Sequence, residues 1–206
     1  MMPVYFLKED LTRAEVDVAR ASWSLVLGDP LEGEVNPHFI NNNIKETLGH
    51  QSTVIWFFDT FYKRFFDVHP SAKPLFKGGL KTQGRFMVKM ITLLLSNLDD
   101  REKFVDNLVK LAHVHNKRGI KAIEYGVVGE VLFYTLRTVT GPAYDMNTHR
   151  AWVLVFSSML KTLIPIAIQY EMTTASKFQG DRDHMSQYSD EGSMSLGEIF
   201  CFPCIF

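Results

Sequence analysis

In the stretch Phe104-Val105-Asp106-Asn107-Leu108-Val109-Lys110-Leu111-Ala112-His113-Val114-His115-Asn116-Lys117-Arg118-Gly119-Ile120, a helical apolar stripe and an imidazole coincide. Leu108, Leu111, Ala112 and His115 recur at three- and four-residue intervals, so they share one helix face. Gly119, four residues after His115, is the C-terminal stop, which leaves the imidazole about one turn from an open end. An imidazole in an apolar stripe needs a partner. As a metal ligand it bonds through one nitrogen and donates from the other to a nearby acceptor, for which Leu111 C=O, one turn earlier, is the natural candidate. The plainer alternative is a core or boundary histidine satisfied by its own hydrogen bond. His113 lies two positions away, points to another face and reads as solvated.

A chain of 206 residues suits one well-packed domain. Its 22 Lys and Arg nearly cancel 23 Asp and Glu, so no electrostatic footprint for nucleic acid or an anionic membrane stands out. Sixteen Phe, nine Met and three Trp supply bulk to line a cavity as well as fill a core. Both cysteines, Cys201 and Cys204, sit together far from the apolar body, so no disulfide framework is expected. Met1 to Asp10 carries no basic segment leading into a long apolar run, and the expected setting is cytoplasmic and reducing.

Outward from the histidine segment, the apolar periodicity is helical throughout and nowhere strand-like. Thr12 and Glu15 have the spacing of a capping box before the stripe Val16, Ala19, Trp23, Leu25 and Val26, predicting a helix over 12–27. Gly28-Asp29-Pro30 breaks it, and the polar run 29–50, with Asn36-Pro37 and Asn41-Asn42-Asn43, reads as a loop insertion. From Ser52 to Asp67 aromatics recur around most of the circumference, as in a largely buried helix. Pro70 starts a short helix that carries Leu75-Phe76 to a Gly78-Gly79 turn. A further helix reaches Leu98 with Met87, Met90, Ile91 and Leu94 as its inner face. After the histidine helix, opened by Asp99-Asp100, come helices over about 120–140 and 147–170. Pro165 predicts a kink or early end in the last, and 173–198 is too polar to bury a core.

The spacings then align. Tyr62 lies fourteen residues before Phe76, Gln83 thirty-two before His115, and Tyr125 ten after it. With Trp23, Phe61-Tyr62-Lys63-Arg64-Phe65-Phe66, Pro70, His115 with Gly119-Ile120, Tyr125-Gly126-Val127-Val128-Gly129-Glu130 and Ala151-Trp152, the chain resembles a globin over roughly 12–170. It is most similar to single-domain globins and the globin portion of flavohaemoglobins, which pair a distal tyrosine with a glutamine. The resemblance implies an all-α globin fold holding haem b, with His115 as proximal ligand to the iron and Tyr62 and Gln83 as distal donors to a diatomic gas. Phe76 would stack on the porphyrin, Met87 would line the ligand pocket, and Leu111, Ile120, Tyr125 and Val128 would complete its walls. It implies oxygen storage or sensing, or alternatively nitric oxide dioxygenation with an external electron-donating reductase.

This chain also departs from that pattern. In flavohaemoglobins a carboxylate of the last helix joins the tyrosine equivalent to Tyr125 on the proximal histidine. Here Leu163-Ile164-Pro165-Ile166-Ala167 offers no acid before Glu171. Finally, Ile199-Phe200-Cys201-Phe202-Pro203-Cys204-Ile205-Phe206 is an apolar octet after a polar tail. Its pattern is wrong for a prenylation box, and the expected chemistry is S-acylation of Cys201 and Cys204, giving peripheral membrane attachment. Hydroxylamine-labile mass on the peptide bearing them would be its signature, and a wholly soluble, unmodified protein would exclude it.

Overall fold

The computed structural model describes residues 10–28, 52–76 and 79–185. Among these residues lie six α-helices, two 3-10 turns and no strand, as the periodicity predicts. The helices are α1 (Arg13–Leu27), α2 (Thr53–Val68), α3 (Leu80–Ser96), α4 (Arg101–Lys117), α5 (Glu124–Thr140) and α6 (Met146–Met185). The 3-10 turns are Pro70–Leu75, between α2 and α3, and Gly141–Ala143, between α5 and α6. The expected insertion at 29–50 and the cysteine-bearing octet lie outside the described residues.

Local signals start the helices. Thr12 and Glu15 form the predicted capping box at α1. The Ser52 hydroxyl accepts from the Ile55 N–H at 3.3 Å to open α2, and the Asp100 carboxylate accepts from the Lys103 N–H at 3.1 Å to open α4. Packing does the rest: α1 lies on α6, α2 on α3 and α5, and α4 on α6. Trp23 sits where four of these helices meet, edge-on to Phe57 at 5.1 Å and to Trp152 at 5.9 Å. Both indoles find acceptors, Trp23 Nε1 donating to Thr92 Oγ1 and Trp152 Nε1 to Ser22 Oγ, each at 2.8 Å. Phe57, Leu108, Leu136 and Leu160 are wholly enclosed, and burial of each such side chain stabilises the fold by about 1.5–3 kcal/mol.

Four expectations need correction. The helix expected from about 120 starts at Glu124, because Gly119 (φ 76°) reverses the chain and Ile120 N–H turns back to His115 C=O at 3.1 Å. The last helix does not end at Pro165. Pro165 lies on the exposed side of the helix, which gives up one internal hydrogen bond there and runs on to Met185, through the start of the segment expected to be unstructured from 173. Met146–Ser176 of α6 is also apolar enough by length and composition to cross a membrane, but 56% of that apolar window is buried inside the fold, as a core helix would be. The inner face of α3 is Gly84, Val88, Leu94 and Leu95, with Met87, Met90 and Ile91 only half-buried. At Gly84 the backbone of α3 comes so close to Phe58 that an added Cβ would sit 2.4 Å from Phe58 Cγ.

Candidate functional site

Two walls can be built from the residues upward. On the first, α4 presents His115 half-buried beside the enclosed Leu108 and Ala112. After the Gly119 reversal, α5 brings the buried Tyr125 back alongside, and His115 Nδ1 lies 3.1 Å from the Tyr125 hydroxyl. Leu111 C=O is therefore not the acceptor the helix spacing suggests. The ring has turned toward α5, because the corner returns a phenol to it. Burial, helped by the charge of Arg118, pushes His115 down to about 4, so the imidazole is neutral near pH 7. Burial, with Glu124 nearby, pushes Tyr125 up to about 12 and keeps the phenol protonated. In the tautomer whose proton sits on Nδ1, the ring donates to the phenol oxygen and Nε2 keeps its lone pair; Nε2 makes no hydrogen bond among the described residues.

On the second wall, Tyr62 is 5% exposed on α2, enclosed by Phe61 at 5.5 Å, Phe66 at 6.0 Å and Phe76 at 5.4 Å. Its surroundings push it up to about 12 by desolvation alone, and its hydroxyl has no partner among the described residues. A neutral phenol without a partner is a donor awaiting an acceptor. Gln83 is half-buried on α3, one residue before the Gly84–Phe58 crossing, while Tyr62 lies one turn beyond Phe58 on α2. The structure thus puts Tyr62 and Gln83 on adjoining helices, with no hydrogen bond between them. Phe76, Met87, Leu111, Ile120 and Val128 all pack against the core while staying partly open, as lining residues would. An open pocket of about 260 Å³ lies against Phe66, Lys73, Phe76 and Leu80, with Lys73 the charged residue of its wall among the described residues; His115, Tyr62 and Gln83 do not line it.

The donor set fits a haem. It offers a neutral imidazole with a free nitrogen, a partnerless buried phenol, a carboxamide, and aromatic and aliphatic walls. Among the described residues no cluster of three or more His, Cys, Asp or Glu is arranged to hold a bare metal ion. His113 is exposed and takes no part.

Four contributors escape a sequence reading. Gly84 sets the α2–α3 approach. Glu124 accepts from the Lys121 N–H at 2.8 Å and lies 3.3 Å from His69 Nε2 at the end of α2. Glu171 accepts from the Ala122 N–H at 2.7 Å. Asn116, next to the key histidine, is 3% exposed, and neither of its side-chain polar atoms has a hydrogen-bond partner among the described residues. Only Glu124 carried a local signal, as an acid three residues after the N–H it caps.

Comparison with known proteins gives consistent results. The family profile described as Globin matches residues 59–163. A flavohemoprotein of Chromobacterium violaceum is 29% identical over 109 residues, covering 52% of this chain and 27% of its own. The chain spans about a quarter of the length of the flavohemoproteins it matches. Among solved structures, a bacterial globin from Campylobacter jejuni aligns with a TM-score of 0.55 at 19% identity, covering 77% of this chain and 97% of that one. A Rhodothermus marinus protein assigned as a nitric oxide dioxygenase, and engineered into a carbene transferase, aligns at 0.59 and 16% identity, covering 80% and 99%. At those identities the two structures speak for the fold alone.

Proposed function

The chain belongs to the globin family, and from that premise we propose that it holds haem b through His115 and binds a diatomic gas reversibly, for storage or sensing. The observation that carries this reading is the His115–Tyr125 hydrogen bond at 3.1 Å, because it leaves a neutral, oriented imidazole with one nitrogen free. A bound haem would supply the iron centre at which a gas ligand is taken up and released.

The chain's own residues would do the following. His115 Nε2 ligates, while Tyr125 fixes the tautomer and the ring plane by accepting from Nδ1–H. Tyr125 stays a neutral phenol, so it withdraws less proton density from the imidazole than a carboxylate would, and His115 remains a moderate electron donor. Tyr62 O–H and the Gln83 side-chain N–H supply hydrogen bonds to a ligand carrying partial negative charge, each contributing about 0.5–1.5 kcal/mol. Phe76, edge-on to Tyr62 at 5.4 Å, holds that phenol in place. Lys73 offers a cation at the cavity mouth, suited to a porphyrin carboxylate.

A second reading, nitric oxide dioxygenation fed by an external electron-donating reductase, is favoured by the flavohemoprotein relatives and by the buried, partnerless Tyr62. The first experiment is an absorption spectrum of freshly purified protein. A Soret band is expected in the parent and in His113→Ala, and its loss or strong weakening in His115→Ala. Equal haem content in His115→Ala and the parent would refute the assignment of the ligand. Consumption of nitric oxide by the oxygen-bound protein, sustained over many turnovers only when an electron donor is added, would select the second reading.

A further inference from the structure

We propose that Glu171 is a positioning residue for the His115–Tyr125 pair, acting through the backbone of the corner that joins them. The inference rests on His115 being the haem ligand and adds a part that the ligand assignment does not contain. His115 and Tyr125 are ten residues apart, and their hydrogen bond requires the intervening corner to hold one shape.

Backbone bonds shape that corner from within: Arg118 and Ile120 N–H donate to His115 C=O, and Glu124 N–H donates to Lys121 C=O. The N–H groups of Lys121 and Ala122, just ahead of α5, are taken up by two carboxylates. Glu124 accepts from Lys121 N–H at 2.8 Å, a local bond three residues back, whereas Glu171 accepts from Ala122 N–H at 2.7 Å from forty-nine residues away. Carboxylates at a helix N-terminus also meet the positive end of its dipole.

Glu171 is placed for this and little else. Beyond Ala167 no described side chain of α6 is buried, and the other hydrogen bonds of this part of the helix are local ones from Thr173, Thr174 and Ser176. The bond to Ala122 is where the exposed end of α6 reaches another element, three residues before Tyr125. Glu171 does not bond His115 or Tyr125 itself. It fixes the base on which Tyr125 stands, and α6 in turn is anchored through the enclosed Leu160, Leu163 and Ala167. A charged acceptor on a backbone N–H is among the stronger hydrogen bonds available to a fold, so its loss would free the corner.

Full-length Glu171→Ala and Glu171→Gln test this in both haem-loaded and haem-free protein. In Glu171→Ala, the iron–histidine stretching band of the ferrous protein in resonance Raman should shift or broaden. Haem transfer to an acceptor globin should quicken about tenfold. Amide exchange at Ala122 in the haem-free protein should quicken about tenfold as well. Glu171→Gln keeps an oxygen acceptor and should stay within about threefold of the parent on both rates, since a neutral acceptor retains roughly half the strength. An iron–histidine band in Glu171→Ala unchanged from the parent, even with a lower Tm, would overturn the proposal and leave Glu171 a simple tether. A parent protein without a Soret band would sink the haem reading separately. In that case unchanged Ala122 exchange would overturn the clamp too, and faster exchange would uphold the clamp on its own.

Discussion

Gly84→Ala probes the helix crossing that carries Gln83 to the site. A Cβ at this position would lie 2.4 Å from Phe58 Cγ and 2.7 Å from Phe58 Cβ. Both are stem atoms of a side chain only 1% exposed, so no rotamer change relieves the overlap. The helices α2 and α3 must instead part by about 1 Å to restore ordinary carbon contact at about 3.5 Å. Overpacking of this kind costs about 3 kcal/mol at the upper end of its usual range. Alanine's better helix propensity returns about 1 kcal/mol. The net loss of about 2 kcal/mol corresponds to a Tm lower by about 4–8 °C in a domain of this size. Gln83 moves with α3, so oxygen dissociation should quicken in the same variant. Thermal unfolding followed by far-ultraviolet circular dichroism, with stopped-flow oxygen release beside it, measures both. A Tm equal to or above the parent's would refute the argument, since propensity would then outweigh a clash that the geometry says cannot be relaxed.

Tyr62→Phe and Gln83→Leu should each speed oxygen release by about two- to tenfold, the loss of one neutral hydrogen bond, with carbon monoxide less affected. Unchanged oxygen rates in both variants would remove these residues from the distal wall. Asp99 receives Arg20 Nη1 at 2.8 Å while Arg20 Nε is held by Leu95 C=O at 2.9 Å, and this hydrogen bond, with the charges of Arg20 and Arg13, lowers the Asp99 pKa below 3.8. A carboxylate with a lowered folded-state pKa stabilises above its unfolded pKa and loses that contribution as the pH falls. Asp99→Asn should therefore lower Tm at neutral pH, and the gap from the parent should close as the pH falls below about 3.8. A gap that is constant with pH would show the ion pair to be irrelevant.

The helical content was legible because it rests on periodicity, whereas the residues of the two walls came from the resemblance to a family pattern. Tyr125, ten residues from His115, comes to the histidine only through the family resemblance. Helix spacing alone points to Leu111 C=O as the acceptor. One turn up the helix is the shortest route on paper, but the Gly119 reversal brings a better partner in from outside. The inner face of α3 was misread because an apolar pattern gives no weight to glycine, and the tightest contact of that helix is made where a side chain is missing. Glu171 was judged only as a carboxylate absent from the histidine. Its bond to a backbone N–H forty-nine residues away has no sequence signature, because any residue but proline could supply that donor. The start of α5 was placed early for a related reason: Ile120 to Ile123 continue the apolar pattern while the chain is still turning.

The Trp152–Ser22 hydrogen bond spans 130 residues, and with the Trp23–Trp152 contact it makes α1 a partner of the last helix. During synthesis at about 5–20 residues per second, Ser22 leaves the ribosome roughly 7–26 s before Trp152 does. For that interval the stripe of Val16, Ala19, Trp23 and Val26 has no α6 to lie against. Until α6 emerges, α1 can pack only against α2, α3 and α5, so the face that it turns to Trp152 is the last part of its stripe to be covered.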